Sequence, residues 1–323
     1  MSDLLSDYDF SLPESLIASR PLPERDASRM LVLDRDSGAI THARVRDLRS
    51  FLDDGDLVIL NDSRVMRARI PLPAGGEILL IEPIGPCLWK CMVRPGRKFQ
   101  EGACVKIAGG HCEVRKILDD GLRAIAFDHE PDLGAVGKMP IPPYLGREAD
   151  EEDDVRYQTV FAREEGSVAA PTAGLHFTPE LLAAIPHAFL TLHVGVGTFR
   201  PVTTENVADH KMHEERFELS EKTASAANSA SRIVAVGTTV VRVLESRPPG
   251  PLLPGAGTTD IFIRPPHQFQ RVGAVLTNFH LPRSTLLMLV SAFAGRELML
   301  ETYRKAVEKG YRFFSYGDCM FIR

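Results

Sequence analysis

The sequence predicts an α/β protein whose main domain is built on a mixed sheet, with a small antiparallel β-barrel domain inserted into it. Three observations predict this. Toward both ends of the chain, apolar runs alternate with helical patterns, as in "RIVAVGTTVVRVLES" and "AVLTNFHLPRSTLLMLVSAFAG". Over residues 64–127 the helices disappear, and short apolar runs recur between glycine-bearing turns. The charge changes in the same place: residues 64–116 hold ten cations and four carboxylates, in a chain of net charge -5.

The elements follow in order. "DFSLPESLIASRPLPERDASR" (residues 9–29) carries Pro13, Pro21 and Pro23, which break any long helix. "MLVLD" reads as a strand, "VRDLRSFL" as a short helix, "DDGD" as a turn and "LVIL" as a buried strand, so residues 1–63 form the first part of the main domain. "EILLIE", "LWKCMV", "ACVKI", "CEVRKIL" and "LRAIAF" then predict the barrel, assigned with its linker to residues 64–150. In that linker "MPIPPYLGR" is stiffened by proline and "EADEEDD" reads as a solvated loop. Residues 151–323 return to the main domain. There "AFLTLHV" and "AVLTNF" read as strands, "RIVAVGTTVVRVLES" as strand, tight turn and helix, and "RFFSYG" as a last strand. "STLLMLVSAFAG" reads as a core helix with Ser284 as N-cap and Gly295 as its stop.

With 323 residues, 44% hydrophobic and 25% charged, the chain can bury a sizeable core. Its net charge argues against a general nucleic-acid binder but leaves room for a local basic face. The cysteines Cys87, Cys91, Cys104, Cys112 and Cys319 are odd in number and form no CxxC pair, which fits reduced thiols in the cytoplasm. Cys87 and Cys91 have no second pair at zinc spacing, so buried inert thiols are expected and no metal. The N-terminus shows no signal-peptide pattern. The longest apolar stretch, residues 286–294, is far shorter than the roughly 20 residues that cross a bilayer.

Four segments place polar groups where strands end, the usual location of α/β sites. In "AAPTAGLHFT", Gly174 lets backbone approach a ligand while Thr172 and His176 supply polar groups; a tight loop with a backbone-bonded His is the alternative. In "LHVGVGTFRPV", His193 is followed by Gly195 and Gly197, without the GxGxxG of a dinucleotide fingerprint. "HKMHEERF" follows, where His210 and His213 could share a helix face, hold a metal or serve as acid and base beside Glu215. In "AVGTTVVRVLES", Gly237 brings Thr238 and Thr239 to a helix start whose free N–H groups suit an anion or carboxylate. Plain capping is equally consistent there, and Glu245 further along reads as a surface charge. In "LTNFHLPRSTLLM", Asn278 and His280 lie between strand and helix and can face one crevice.

These segments resemble the S-adenosylmethionine:tRNA ribosyltransferase-isomerase family over nearly the whole chain. The similarity runs from "FSLPESLIASRPLPERDASRMLVLD" through "LVILNDSRVMRARI", "MPIPPY", "RYQTVFA", "APTAGLHFT", "LHVGVGTFRPV", "HKMHEERF", "VAVGTTVVRVLES", "TDIFI" and "LTNFHLPRSTLLMLVSAFAG" to "YRFFSYGDCMFI". The resemblance implies a mixed α/β fold with an inserted barrel. It implies that S-adenosylmethionine is a consumed substrate, with no metal or redox cofactor. Its ribosyl unit goes to a 7-aminomethyl-7-deazaguanine at the tRNA wobble position and is rearranged to epoxyqueuosine, releasing adenine and methionine. A cytoplasmic monomer is expected.

Such chemistry needs a base for a ribose C5′ proton beside the sulfonium and an acid for the departing adenine. His176, His193, His213, Glu215 and His280 are the candidates. Donor binding falls to Asp62, Thr172, Gly174, Gly195, Gly197, Thr238, Thr239, Asn278 and Asp318. The tRNA track falls to Arg64, Arg67, Arg94, Arg97 and Lys98, on a basic barrel that could also be an ordinary solvated exterior. The chain departs from the family pattern in carrying Val240 and Val243 where Ser and Thr are usual. It also lacks the Trp that commonly precedes "TDIFI", differs at "IRPPHQFQ", and has two shorter connectors, before "AFLTLHV" and before "RIVAVGTT". The competing readings are another S-adenosylmethionine-dependent tRNA-modifying enzyme, such as a methyltransferase, and a non-enzymatic RNA-binding protein.

Overall fold

A computed structural model describes residues 4–118, 121–195, 197 and 202–323. Its strands are β1 (Arg29–Leu33), β2 (Ile40–Arg44), β3 (Asp56–Asn61), β4 (Ser63–Val65), β5 (Arg69–Pro71), β6 (Glu77–Gly85), β7 (Leu88–Arg94), β8 (Cys104–Ile107), β9 (Gly110–Ile117), β10 (Arg123–Phe127), β11 (Glu164–Ser167), β12 (His187–Leu192), β13 (Glu215–Leu219), β14 (Arg232–Val236), β15 (Gly255–Thr259), β16 (Val272–Asn278) and β17 (Cys319–Ile322). The helices are α1 (Leu133–Val136), α2 (Glu151–Arg156), α3 (Pro179–Ala183), α4 (Glu221–Ser229), α5 (Thr238–Glu245), α6 (Thr285–Ala294) and α7 (Arg296–Glu308).

Nine strands form one mixed sheet in the order β15-β13-β12-β3-β14-β16-β17-β1-β2. Its centre, β12-β3-β14-β16, is parallel, so these four strands end on the same edge. Strand β17 runs antiparallel to β16 and parallel to β1, bringing the starts of β17 and β1 to that edge as well. The central strands read as continuous apolar runs because both faces are covered. Ile59, Ala235, Val275 and Met320 pack with α4–α7, whereas Val58, Leu60, Val234, Leu276 and Phe321 pack with α3 and the turn at residues 45–51. Val240 and Val243, the two apolar departures on α5, are fully buried in the first of these cores.

The second sheet is wholly antiparallel, in the order β5-β6-β7-β10-β9-β8. It curls around its own apolar core, which includes Ile78, Leu80, Phe99, Ile125 and the thiols Cys91 and Cys112. Burial raises the Cys112 thiol to about 12, so it packs as a small hydrophobe. Among the described residues no pairing joins β5 to β8, so the strands form an open half-barrel. Met139, Ile141 and Leu145 pack with Ala18, Val65, Ala170, Leu175 and Tyr316, and so join this part of the chain to the loops at the nine-stranded sheet's edge.

Two expectations change. "RFFSYG" is a loop, and the last strand is "CMFI". Phe314 sits at φ 74, and Asp318 Oδ2 accepts the Arg312 N–H at 2.9 Å, folding residues 312–318 back on themselves. The acidic "EADEEDD" is no solvated loop, since it starts α2 and carries the fully buried Asp153, whose oxygens accept from Arg147 at 2.6 and 2.8 Å and from the Tyr316 hydroxyl at 2.7 Å. Among the described residues no helix is long and apolar enough to cross a membrane.

Candidate active site

The polar segments do collect along one edge of the nine-stranded sheet. At the end of β16, His176 Nε2 lies 3.2 Å from Asn278 Oδ1. The Asn278 amide donates to Phe314 O at 2.7 Å and Ser315 O at 3.2 Å, which fixes its oxygen toward the imidazole. His176 therefore donates from Nε2, and Nδ1 is its basic atom. Burial lowers its pKa to about 4, so the ring is neutral near pH 7. His176 lines a small cavity together with Arg25, Arg156, Leu175, Ser315 and Tyr316. A larger cleft of about 490 Å³ adjoins it, sharing Leu22 and Glu24 and including Arg29, Arg312 and Asp318.

His280 does not face that cavity. Thr277 and Asn278, successive on β16, point to opposite faces; His280, just beyond the strand, has its Nε2 3.0 Å from Thr277 Oγ1, while its backbone N–H donates to the Tyr303 hydroxyl at 3.1 Å. It sits on the α7 side, and burial drives its pKa to about 3. The expected common crevice for Asn278 and His280 fails because β16 ends at Asn278 and the chain beyond it turns His280 to the face of Thr277, opposite that of Asn278.

At the end of β3, the buried Asp62 accepts from the Thr191 hydroxyl at 2.7 Å and pairs with Arg163 at 2.8 Å, while burial raises its pKa. Its neighbour Asn61 bonds both the N–H and the carbonyl of Leu192, at 3.0 and 2.9 Å. This clamp sets the position of His193, whose Nδ1 is buried with no hydrogen-bond partner among the described residues. Burial, then the Arg216 charge, lowers the His193 pKa. Gly166, at φ +145, passes so close that a Cβ there would lie 2.6 Å from that nitrogen.

Beside it, the Gly195 N–H donates to Glu215 Oε1 at 3.1 Å, and the other oxygen pairs with Arg242 of α5 inside the core. The ring of His213 lies against Gly197, where a Cβ would come within 2.9 Å of it. His210 and His213 precede β13 in irregular chain and share no helix face; burial lowers the His210 pKa. Among the described residues no three His, Cys, Asp or Glu side chains converge as metal ligands. Val196 and residues 198–201 of this motif lie outside the described residues.

Gly237, at φ 86, caps α5, and Thr238 and Thr239 begin it. Thr239 Oγ1 is buried, with no hydrogen-bond partner among the described residues. Glu245, expected on the surface, is buried and accepts three backbone N–H groups from Gln270, Arg271 and Val272 at 2.8–3.0 Å. Thr172 is half-buried at the start of the His176 turn. Gly174 is required by packing, since a Cβ there would come 2.9 Å from Phe161 and Thr159. Asp318 is buried and saturated by Arg29 N at 3.0 Å and by Arg312.

The predicted cation track is divided. Arg64, Arg94 and Arg97 are exposed, with no side-chain partner among the described residues. Arg67 donates to Gly137 O at 3.0 Å, and Lys98 to Ala74 O and Gly75 O at 2.7 and 2.8 Å. Arg242, Asn61 and the Arg25–Arg156 pair were not singled out from the sequence. The polar dyad after "LVIL" was the available signal for Asn61; nothing local marks Arg242, which reads as one more charge on an amphipathic helix.

Polar side chains held at the ends of parallel strands, beside cavities, are the arrangement of an α/β enzyme. Residues 5–322 match the family model described as queuosine biosynthesis protein. The S-adenosylmethionine:tRNA ribosyltransferase-isomerase of Natranaerobius thermophilus is 46% identical, and that of Trichlorobacter lovleyi 47%, each alignment covering 99% of both chains. The crystal structure of an S-adenosylmethionine tRNA ribosyltransferase from Thermotoga maritima is 38% identical, covers 98% of this chain and 100% of its own, and superposes with a TM-score of 0.58. The chain belongs to this family of queuosine biosynthesis enzymes.

Proposed function

We propose that the protein transfers the ribosyl unit of S-adenosylmethionine to a 7-aminomethyl-7-deazaguanine at the tRNA wobble position and isomerises it, giving epoxyqueuosine tRNA, adenine and methionine. The observation that carries this reading is the relation to named ribosyltransferase-isomerases at 46–47% identity over 99% of both chains. S-adenosylmethionine is consumed, and neither a metal nor a resident cofactor takes part. The protein acts as a cytoplasmic monomer.

His176 is the foremost catalytic group. Its Nδ1 is basic, its ring is neutral at working pH, and Asn278 orients it beside a cavity. In that position it can take the C5′ proton made acidic by the sulfonium. His193 and His213, at the neighbouring strand ends, are the candidates for handing a proton to adenine. Glu215 and His280 act through what they hold: Glu215 fixes Gly195, and His280 fixes the end of β16 against α7. Thr238 and Thr239 seat the donor at the start of α5, where a hydroxyl with no partner among the described residues and the helix's first N–H groups suit its carboxylate. Asp62, Thr172, Gly195, Gly197 and Asn278 complete that wall. Residues 64–150 form an inserted unit whose exposed Arg64, Arg94 and Arg97 hold RNA phosphates.

Incubation with S-adenosylmethionine and precursor-modified tRNA tests the reading. Adenine and methionine are expected in equal amounts. S-adenosylhomocysteine instead would mean methyl transfer, and no release at all would leave an RNA-binding protein.

A further inference from the structure

The 490 Å³ cleft lies on the β1–β2 side of His176, and none of its lining residues belongs to the six-stranded sheet or to the predicted cation track. Its walls are Leu22, Pro23, Glu24 and Ala27 of the N-terminal segment, Arg29 and Arg44 of the paired strands, and Arg312 with Asp318. Its charges do not cancel. Asp318 is matched by Arg312 at 3.2 Å, and Arg46 is shared between Glu24 at 2.6 Å and Asp26, outside the lining, at 3.3 Å. Arg29 and Arg44 remain.

The Arg29 guanidinium is held in place without being neutralised. It donates to the carbonyls of Lys309 and Gly310 at 3.0 and 3.3 Å and stacks 3.8 Å from the Tyr311 ring centroid. Arg44 faces it across the β1–β2 pair, exposed and with no side-chain partner among the described residues. Lys309, exposed and next in sequence to the lining residue Gly310, adds a third positive charge close enough to act on His42. The field registers on His42, whose pKa is lowered by burial and then by Arg29 and Lys309.

We propose that this cleft binds a backbone phosphate of the RNA substrate, through Arg29 and Arg44 with Lys309 nearby. A preorganised guanidinium beside a free one is the arrangement that seats phosphate oxygens. Strand order gives the distance: β1 lies two strands from β16, about 10 Å at sheet spacing. A nucleotide whose base reaches His176 therefore has its backbone within reach of the cleft, while the donor occupies the α5 side. The RNA is thus held from the main sheet as well as from the six-stranded one. This inference rests on the tRNA-modifying function proposed above.

The test compares the full-length protein with Arg44→Ala, with Arg44→Ala/Lys309→Ala and, as a charge control, with Lys222→Ala on the exposed face of α4. Binding of precursor tRNA is measured over a range of salt, and the KM for S-adenosylmethionine alongside it. Loss of one phosphate contact lowers the slope of log affinity against log salt by about 0.7–0.9. The double variant is expected to show that loss with several-fold weaker tRNA binding, an unchanged KM for S-adenosylmethionine, and no change for Lys222→Ala. An unchanged slope overturns the proposal. So does a raised KM for S-adenosylmethionine with tRNA binding intact, since the cleft then takes the donor's carboxylate. Adenine release by the unmodified protein reports on the function separately: absent release defeats that reading, whereas intact release with an unchanged slope defeats only the cleft.

Discussion

At the strand ends of the nine-stranded sheet, polar side chains are buried and bonded to one another: His176 to Asn278, Asp62 to Thr191, Glu215 to Arg242. On the six-stranded sheet Arg123 is buried against the Phe99 carbonyl at 2.8 Å, but the predicted RNA-facing cations stand in water. Arg94 and Arg97 have no side-chain partner among the described residues, and Lys98 touches only backbone carbonyls. The first region commits stability to geometry, because each buried polar group left without its partner costs free energy. The second commits almost none and keeps its charges available. Substitutions at the first should therefore disturb fold and chemistry together, and substitutions at the second only the salt-dependent encounter with RNA.

The largest expected effect is on the buried ion pair. Arg242→Ala leaves Glu215 charged in the core and should destabilise the protein by about 3–5 kcal/mol in denaturant unfolding. Replacing both partners, as Arg242→Met with Glu215→Leu, should restore most of that stability. A single variant as stable as the parent would remove the contrast between the two regions.

The pH dependence comes next. His176 and His280 have pKa values of about 4 and 3 in the folded protein, both below the ordinary 6.5. The unfolded chain binds these protons more readily, so their contribution is complete above pH 6.5 and is lost as pH falls through that value. Each histidine should cost about 1.4 kcal/mol per pH unit, down to pH 4 for one and pH 3 for the other. His280→Gln should flatten this acid limb of the stability curve; an unaltered limb would place the sensitivity elsewhere.

The smallest effect on stability belongs to the six-stranded sheet. Arg94→Ala, Arg97→Ala and Lys98→Ala should each shift unfolding by about 0.5 kcal/mol or less. Combined, they should flatten the salt dependence of tRNA binding. An unchanged slope would remove that face from the RNA path.

The same contrast decides what could be read in the sequence. Strands β3, β14 and β16 and helices α5 and α6 announce themselves through apolar runs, Gly237, Ser284 and Gly295, because these signals are local. The gathering of the motifs on one edge was also legible, since parallel strands ending in polar residues must share an edge. Pairings between distant residues were not. Nothing near Glu215 marks Arg242, and nothing near Asp153 marks Arg147 or Tyr316 as the partners that bury it. "RFFSYG" has the composition of a strand, and only the φ of Phe314 and the Asp318 bond to Arg312 make it a loop. Asn278 and His280 looked alike in sequence and two residues apart would share a strand face, but β16 stops at Asn278 and His280 turns back to Thr277 on the other face.

The most direct test of the account is single-turnover adenine release by His176→Gln with S-adenosylmethionine and precursor tRNA both saturating, at a temperature well below the variant's own unfolding midpoint. The account predicts a fall of about 10²-fold or more. Release at the parental rate would contradict it.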